Sequence, residues 1–140
     1  AERAPSNLRK HFDLIRKTVG MASLKDTAER LLALPTEGDE WLATAVDTFR
    51  RGSPTSAALA WELQHRCRHR SLADVFRIEY NVAISCCAAH DFAEGVRALL
   101  IDKDRSPKWD PPTLAAVEQK FIESHFRDHH DGAHPLSDWR

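Results

Sequence analysis

The sequence predicts an all-α protein. Apolar residues recur at intervals of three and four positions along most of the chain, and this spacing keeps them on one face of a helix. No stretch alternates between apolar and polar residues as a half-buried strand does. Serine, aspartate and proline residues also stand where helices usually begin. Together these observations predict about seven amphipathic helices.

The first two predicted helices lie in the N-terminal part of the chain. Ser6 is placed to cap the first helix, which ends at Gly20. Ser23 and Asp26 form a capping box that opens the second helix, and Pro35 ends it. The residues of this second helix that we expect to be buried are Leu24, Ala28, Leu31 and Leu32.

The third and fourth predicted helices follow with hardly a gap. The third carries an apolar face made of Trp41, Leu42, Ala45, Val46 and Phe49. Gly52 is expected to end it in the left-handed conformation. Ser53 then supplies an N-cap and Pro54 the first helical residue, where a missing amide hydrogen costs nothing. This fourth helix is expected to end near Arg70.

Two further capping boxes are predicted in the second half of the chain. Ser71 and Asp74 open a long fifth helix, and Asp91 and Glu94 open the sixth. The sixth helix is expected to end in a charged, proline-containing loop over residues 102–110.

The last predicted helix begins near Pro112. The residues that it is expected to bury are Leu114, Val117, Phe121 and Ile122. Beyond Phe126 the periodicity stops, so residues 127–140 are expected to form a His-rich tail, either a loop or a loosely docked end. The predicted organisation is therefore one helical region over residues 1–126 followed by this tail.

Composition excludes several classes of protein. The formal net charge is −1, with 20 basic and 21 acidic residues mixed along the chain, which argues against nucleic-acid binding. No apolar run approaches the roughly 18 residues that would span a membrane. The start of the chain has neither signal-peptide nor transit-peptide character. Since it begins with Ala1, we expect a piece of a longer protein.

The cysteines give little sign of chemistry. Three cysteines, two of them adjacent, suit neither a disulfide framework nor a zinc site, and they indicate a reducing compartment. Cys67 lies between His65 and His69, but residues two positions apart on a helix do not face each other, so surface positions are expected. Cys86 and Cys87 are expected to be small buried packing groups.

The only metal-like cluster is formed by four histidines near the end of the chain, His125, His129, His130 and His134. His125 and His129 are four positions apart, a spacing that places both rings on one helix face. No helix-borne carboxylate or cysteine completes a ligand set, so we predict no metal site. The alternative that we favour is a solvated end that binds metal only adventitiously.

No pattern in the chain predicts a complete catalytic site. A Gly-x-Ser-x-Gly elbow, a glycine-rich phosphate loop and a spaced carboxylate pair are all missing from the sequence, so no catalytic residue is expected here. A basic group near Trp109 could hold a phosphate or nucleotide by charge and stacking. Its members are Arg97, Lys103, Arg105 and Lys108. The simpler interpretation is a solvated loop.

One segment carries a specific resemblance to a known family. The stretch from His90 to Trp109 reads HDFAEGVRALLIDKDRSPKW, and it closely resembles the C-terminal signature of the 3-hydroxyisobutyryl-CoA hydrolases. SPTS from Ser53, EY from Glu79 and DPPTLAAV from Asp110 stand in the order and spacing of that family. The resemblance covers about residues 12 to 126. The DKD and SPKW pieces of the stretch depart from the usual EKR pattern of enoyl-CoA hydratases. This departure favours the hydrolase branch.

The resemblance implies a fold and a function. The family belongs to the crotonase superfamily, so this chain would be the C-terminal helical region of a crotonase-type enzyme that hydrolyses a branched acyl-CoA thioester in valine breakdown. A preceding core, absent from this sequence, would supply the oxyanion hole and the acidic residues. The helices would help to close the coenzyme A pocket or an intersubunit surface. Lys103 would lie near the nucleotide end of coenzyme A.

The resemblance also implies partners and a location. Coenzyme A would enter as part of the substrate, with no covalently bound cofactor, and a homo-oligomer is possible. The location would be the cytoplasm of a bacterium or the mitochondrial matrix of a eukaryote. Two alternatives stay open: the C-terminal region of an enoyl-CoA hydratase or isomerase, and a noncatalytic helical module that binds a protein through exposed apolar faces.

Overall fold

A computed structural model describes residues 6–20 and 23–139, and it confirms the all-α prediction. Of the predicted helical region and tail, residues 1–5, 21, 22 and 140 lie outside the described residues. The α-helices of the described ranges are α1 (Asn7–Lys10), α2 (Phe12–Val19), α3 (Leu24–Leu32), α4 (Glu40–Arg51), α5 (Pro54–Cys67), α6 (Leu72–Ala88), α7 (His90–Val96) and α8 (Gln119–Ser124). A π-helical turn (Arg97–Ile101) continues α7, and a short 3₁₀ turn (Leu114–Ala116) precedes α8.

The chain divides into two compact units, Ala1–Gly52 and Ser53–Arg140. The boundary predicted between residues 126 and 127 stays a prediction. Within the described residues there is no strand, and no helix has both the length and the apolar character needed to cross a bilayer.

The single helix predicted after Ser6 is interrupted, which corrects the sequence analysis. Ser6 caps α1 as expected, its hydroxyl accepting the Arg9 amide at 3.4 Å. His11, with φ −101° and ψ 11°, separates α1 from α2. Its Nε2 lies 3.0 Å from the Asp39 carboxylate, and its ring stacks on Trp41 with 5.1 Å between centroids. These contacts hold His11 at the interruption.

Side-chain caps start the other helices of the first unit. The Ser23 hydroxyl accepts the Asp26 amide at 3.1 Å, as predicted. Asp39, which the sequence analysis missed, caps α4 by accepting the Leu42 amide at 3.0 Å. Lys10 donates to the same carboxylate at 2.7 Å. The hydrogen bonds from Lys10 and the Leu42 amide lower the pKa of Asp39.

Gly52 does not adopt the left-handed conformation, so that prediction is wrong. Its φ of −70° and ψ of 161° are extended, because the next residue already caps α5. The Ser53 hydroxyl accepts the Ser56 amide at 3.0 Å, and Pro54 is the first helical residue, as predicted. The helix ends at Cys67, earlier than expected.

The last helix begins at Gln119 rather than near Pro112. Pro111 and Pro112 are adjacent, lack amide hydrogens and disfavour helical backbone at the preceding residue, so only the 3₁₀ turn forms here. Ile122 is 1% exposed, as expected for a core residue.

The apolar helix faces are only partly covered. The buried apolar residues of the described ranges are Ala28, Leu42, Val46, Ala58, Leu59, Ala73, Val82, Ala98 and Ile122. Leu32 and Phe121, both predicted to be buried, are 41% and 38% exposed. The remaining large apolar residues that are exposed are Leu8, Phe12, Val19, Leu72, Phe76, Phe92, Leu99, Leu100, Ile101 and Trp139. Periodicity predicted the faces correctly, but the described part of the chain does not cover all of them.

The described part of the tail is a loop that is hydrogen-bonded to α6. The Arg77 guanidinium donates to the main-chain carbonyl of Leu136 at 3.1 Å and to that of Trp139. The Asn81 amide donates to Asp128 at 2.8 Å. Hydrogen bonds along one helix therefore hold the described part of the tail.

Candidate functional site

The charged loop over residues 102–110, here the 102–110 loop, follows α7 and its π-helical turn. Two backbone hydrogen bonds fold its first half back onto that turn. The Asp102 amide donates to the Arg97 carbonyl at 2.8 Å, and the Arg105 amide donates to the Ala98 carbonyl at 3.0 Å. The loop therefore starts from a fixed support.

Arg97 lies at the centre of this loop. Its Nε and Nη2 donate to the two carboxylate oxygens of Glu94, each at 2.8 Å. Its Nη1 donates to Asp102 at 2.6 Å and to Asp104 at 2.7 Å. We call these four residues the Arg97 cluster. Since its guanidinium is bound to protein carboxylates, Arg97 is not the phosphate ligand that the sequence analysis considered.

Glu94 is the buried member of the Arg97 cluster, at 9% exposure. Besides Arg97 it accepts the Lys108 amide at 2.7 Å, so it joins α7 to the second half of the loop. The hydrogen bonds from Arg97 and from the Lys108 amide lower the pKa of Glu94 to about 2. Glu94 is therefore an ionised anchor of the loop and not the capping-box acid that was predicted.

Asp91 is not the N-cap of α7, which corrects the second half of that capping box. The N-cap position is Ala89, and it offers no side-chain cap. The Asp91 carboxylate instead accepts the Ser53 hydroxyl and, at 2.9 Å, the Asp110 amide. Because the loop and the start of α5 occupy this carboxylate, it fixes the far end of the 102–110 loop.

Lys103 and Arg105 project from the loop. Both are exposed, and both have positive φ, 58° and 55° respectively. A left-handed backbone is unfavourable for residues with a Cβ, so the contacts of the neighbouring residues must hold it. The loop thus presents the predicted Lys103, and Arg105 with it, on a constrained backbone.

Trp109 lies against α7 and is half-buried. A Cβ added at Gly95 would be 3.4 Å from the Trp109 ring, an ordinary van der Waals contact, so the ring packs directly over this part of α7. On the other side of the loop end, His90 Nε2 donates to the Lys108 carbonyl at 2.9 Å. Part of the ring proposed for nucleotide stacking is therefore covered by protein.

The histidines at the end of the chain do not form one cluster: the rings of His130 and His134 touch edge to face, with 4.7 Å between centroids, but His125 and His129 bind other groups. His125 is 2% exposed, and its Nδ1 donates to the Phe121 carbonyl at 2.9 Å. His129 Nε2 lies 2.6 Å from the Ser85 hydroxyl. That contact is exposed, and in the described residues no carboxylate is hydrogen-bonded to the imidazole to orient it as a base. Over the same ranges, no group of three or more potential ligands is arranged to hold a metal.

The cysteines differ from one another in exposure. Cys67 and Cys86 are half-buried, and burial raises the pKa of both thiols. Cys87 is exposed, so its predicted burial is wrong, because adjacent positions near a helix end point in different directions. His65 and His69 are exposed, as predicted, but Cys67, which was expected at the surface with them, is half-buried.

Relatives of known sequence are similar to most of this chain. It is 36% identical over 122 residues to "3-hydroxyisobutyryl-CoA hydrolase, mitochondrial" of Danio rerio, covering 87% of this chain and 31% of the relative. The Homo sapiens protein of the same name is 32% identical over 120 residues, covering 86% and 30%. The chain therefore spans about a third of the length of these relatives.

Two solved structures and one protein family are also similar to this chain. An enoyl-CoA hydratase from Rhodobacter sphaeroides matches with a TM-score of 0.77 at 28% identity, over 90% of this chain and 36% of that one. A carnitinyl-CoA dehydratase from Mycobacterium thermoresistibile matches with a TM-score of 0.76 at 29% identity, over 91% and 36%. The family described as enoyl-CoA hydratase/isomerase matches residues 1–126. The chain belongs to the enoyl-CoA hydratase/isomerase family.

Proposed function

We propose that this chain is the C-terminal helical region of an acyl-CoA thioester hydrolase of the 3-hydroxyisobutyryl-CoA type, which acts in valine breakdown. The observation that carries the proposal is the 36% identity to a hydrolase of that name over 122 residues. The most specific part of the resemblance, His90 to Trp109, is also the segment that contains the Arg97 cluster.

The proposal divides the work between this chain and a preceding crotonase core. The core supplies the oxyanion hole and the acidic groups that act on the thioester. The helices cover part of the core and help to close the coenzyme A pocket or a subunit interface. Exposed apolar side chains such as Leu99, Leu100 and Ile101 support this division, since a covering partner would remove them from water.

Lys103 is the residue that we propose contacts coenzyme A. Its ammonium group is exposed and has no ion pair within the described residues. A lysine of this kind forms charge-assisted hydrogen bonds to phosphate oxygens. We therefore assign it to the nucleotide end of the substrate, and we assign no covalently bound cofactor.

The proposed partners of this chain are the preceding core and an acyl-CoA substrate. A homo-oligomer would add further copies of the same protein as partners. The two relatives are named as mitochondrial proteins. We propose the mitochondrial matrix for a eukaryotic source and the cytoplasm for a bacterial one.

A substrate comparison on the protein that joins this chain to its core tests the proposal. Release of coenzyme A from 3-hydroxyisobutyryl-CoA is followed with a thiol reagent, and hydration of crotonyl-CoA is followed by its absorbance. Rapid release of coenzyme A with little hydration is the expected result. Hydration without thioester cleavage would contradict the hydrolase assignment.

The alternative function is that of an enoyl-CoA hydratase, which would hydrate crotonyl-CoA without cleaving the thioester. The observation that favours it is the 0.77 TM-score to a structure of that name. The hydrolase proposal is preferred because the two hydrolases share 36% and 32% identity with the chain, against 28% for the hydratase.

A further inference from the structure

Residues 102–106 alternate between anchored and projecting side chains. Asp102 and Asp104 bind the Arg97 guanidinium at 2.6 and 2.7 Å. Between and after them, Lys103 and Arg105 have φ of 58° and 55° and are exposed. One guanidinium thus holds every second side chain at the start of the loop.

The net charge of the Arg97 cluster determines which side chains of the loop could bind an anion. The cluster combines one guanidinium with three carboxylates, those of Glu94, Asp102 and Asp104. Its own net charge is negative, so it does not attract phosphate. Attraction of an anion therefore falls to the exposed basic side chains of the loop: that of Lys108 and the two that project beside the cluster, Lys103 and Arg105.

The positive φ values connect the cluster to the direction of these two side chains. Lysine and arginine favour negative φ, and a change of φ turns the side chain away from its present direction. Ser106 contributes to the restraint, its amide donating to Asp104 at 2.9 Å. Loss of the contacts from Arg97 would free the loop to relax, and Lys103 and Arg105 would then point elsewhere.

We infer that Arg97 is a positioning residue for coenzyme A recognition: it fixes the 102–106 backbone so that Lys103 and Arg105 face the phosphates of the nucleotide. It does not itself touch the substrate. This inference rests on the proposed function and deepens it, because it states how the chain distinguishes a coenzyme A ester from an ester that lacks the nucleotide.

The test uses Arg97→Lys in the protein that includes the core. Lysine keeps the positive charge but cannot make the forked contact to Glu94 while also reaching Asp102 and Asp104. Two substrates are compared: the acyl-CoA and the same acyl group on pantetheine, which lacks the nucleotide. The KM for acyl-CoA should rise about tenfold with kcat nearly unchanged, and both constants for the pantetheine ester should stay the same.

Two further variants keep the test informative. Arg66→Lys is the matched control, because Arg66 also bridges two carboxylates, those of Glu62 and Glu123, but on α5. It should leave the ratio of the two KM values unchanged. Asp104→Asn is the substitute if Arg97→Lys folds poorly. It removes only one contact of the cluster, so the KM for acyl-CoA should rise less, but in the same direction.

The outcomes separate the inference from the proposed function. Turnover of neither ester by the unaltered protein would overturn the proposed function, and the inference would fall with it. Normal turnover by the unaltered protein, with Arg97→Lys impairing both esters equally or neither, would overturn the inference alone. A selective rise in the KM for acyl-CoA supports it.

Discussion

Glu94 is a carboxylate that the protein buries in its ionised form. Burial alone favours the neutral acid, but the hydrogen bonds from Arg97 and the Lys108 amide outweigh it and lower the pKa of Glu94 to about 2. The charge of Glu94 is thereby linked to the stability of the folded 102–110 loop.

This linkage predicts a Glu94-dependent response to acid. The pKa is lower in the folded protein than the ordinary value of 4.5, so the stabilising contribution is fully present above 4.5 and is lost as the pH falls towards 2. Glu94→Gln should therefore lower the urea midpoint at neutral pH. The difference in urea midpoint between Glu94→Gln and the unaltered protein should become smaller as the pH falls from 4.5 towards 2.

The matched control for that experiment is Glu37→Gln, the same change at an exposed residue in the turn before α4. The urea midpoint of Glu37→Gln should equal that of the unaltered protein at every pH. A constant gap between Glu94→Gln and the unaltered protein down to pH 2 would show that ionisation of Glu94 does not contribute.

Lys103 offers a direct test of the proposed phosphate contact. Lys103→Ala should raise the KM for acyl-CoA roughly threefold to tenfold, the effect expected for one hydrogen bond from a charged group at an exposed site. Lys120→Ala on α8 removes another exposed lysine and serves as the control. Equal KM values for all three proteins would remove Lys103 from the binding site.

Five of the helices in the described residues, α1, α3, α4, α5 and α6, begin at a short-range side-chain cap. At the start of α6 the Ser71 hydroxyl accepts the Asp74 amide at 3.2 Å and donates to its carboxylate at 2.7 Å. Hydrogen bonds from Ser71 and from Arg77 lower the pKa of Asp74. The same device starts α3 and α5.

Removal of this cap should have a measurable cost. Ser71→Ala is expected to reduce the free energy of unfolding by about 1 kcal/mol, since the Asp74 amide loses its acceptor. Ser56→Ala is a control on α5, where the exposed Ser56 follows the cap and Ser53 supplies the hydroxyl. Chemical denaturation of both variants measures the difference. Equal stability of the two would contradict a capping role for Ser71.

The contrast between Ser71 and Asp91 explains how far the sequence could predict the elements. Ser71 finds its partner three residues away, so a local pattern is enough. Asp91 accepts an amide 19 residues away and Glu94 one 14 residues away, and these long-range partners defeat the same pattern. His11 likewise interrupts the first helix through a distant residue, Asp39.

The candidate site was predictable only in part. The basic residues and the family signature pointed to the 102–110 loop, and that location stays a prediction. The sequence did not distinguish Arg97, which the carboxylates occupy, from Lys103, which is exposed. An acidic residue at every second position beside basic ones could have signalled internal pairing, but its geometry depends on the positive φ of Lys103 and Arg105.

Exposed apolar side chains relate the chain to a larger molecule. Leu99, Leu100 and Ile101 are 61%, 63% and 69% exposed, although they directly follow the helix that supports the loop. Periodicity predicts an apolar face but not which part of a protein covers it. The chain spans about a third of its relatives, and the proposed core is the natural cover for this surface.

The most direct test is a side-by-side measurement of thioester hydrolysis by residues 1–140 alone and by the same residues joined to the preceding core. Coenzyme A release from 3-hydroxyisobutyryl-CoA is followed at equal protein concentration. The joined protein should turn over the ester, and the separate chain should not exceed the rate without protein. Turnover by the separate chain, or none by the joined protein, would contradict the proposal.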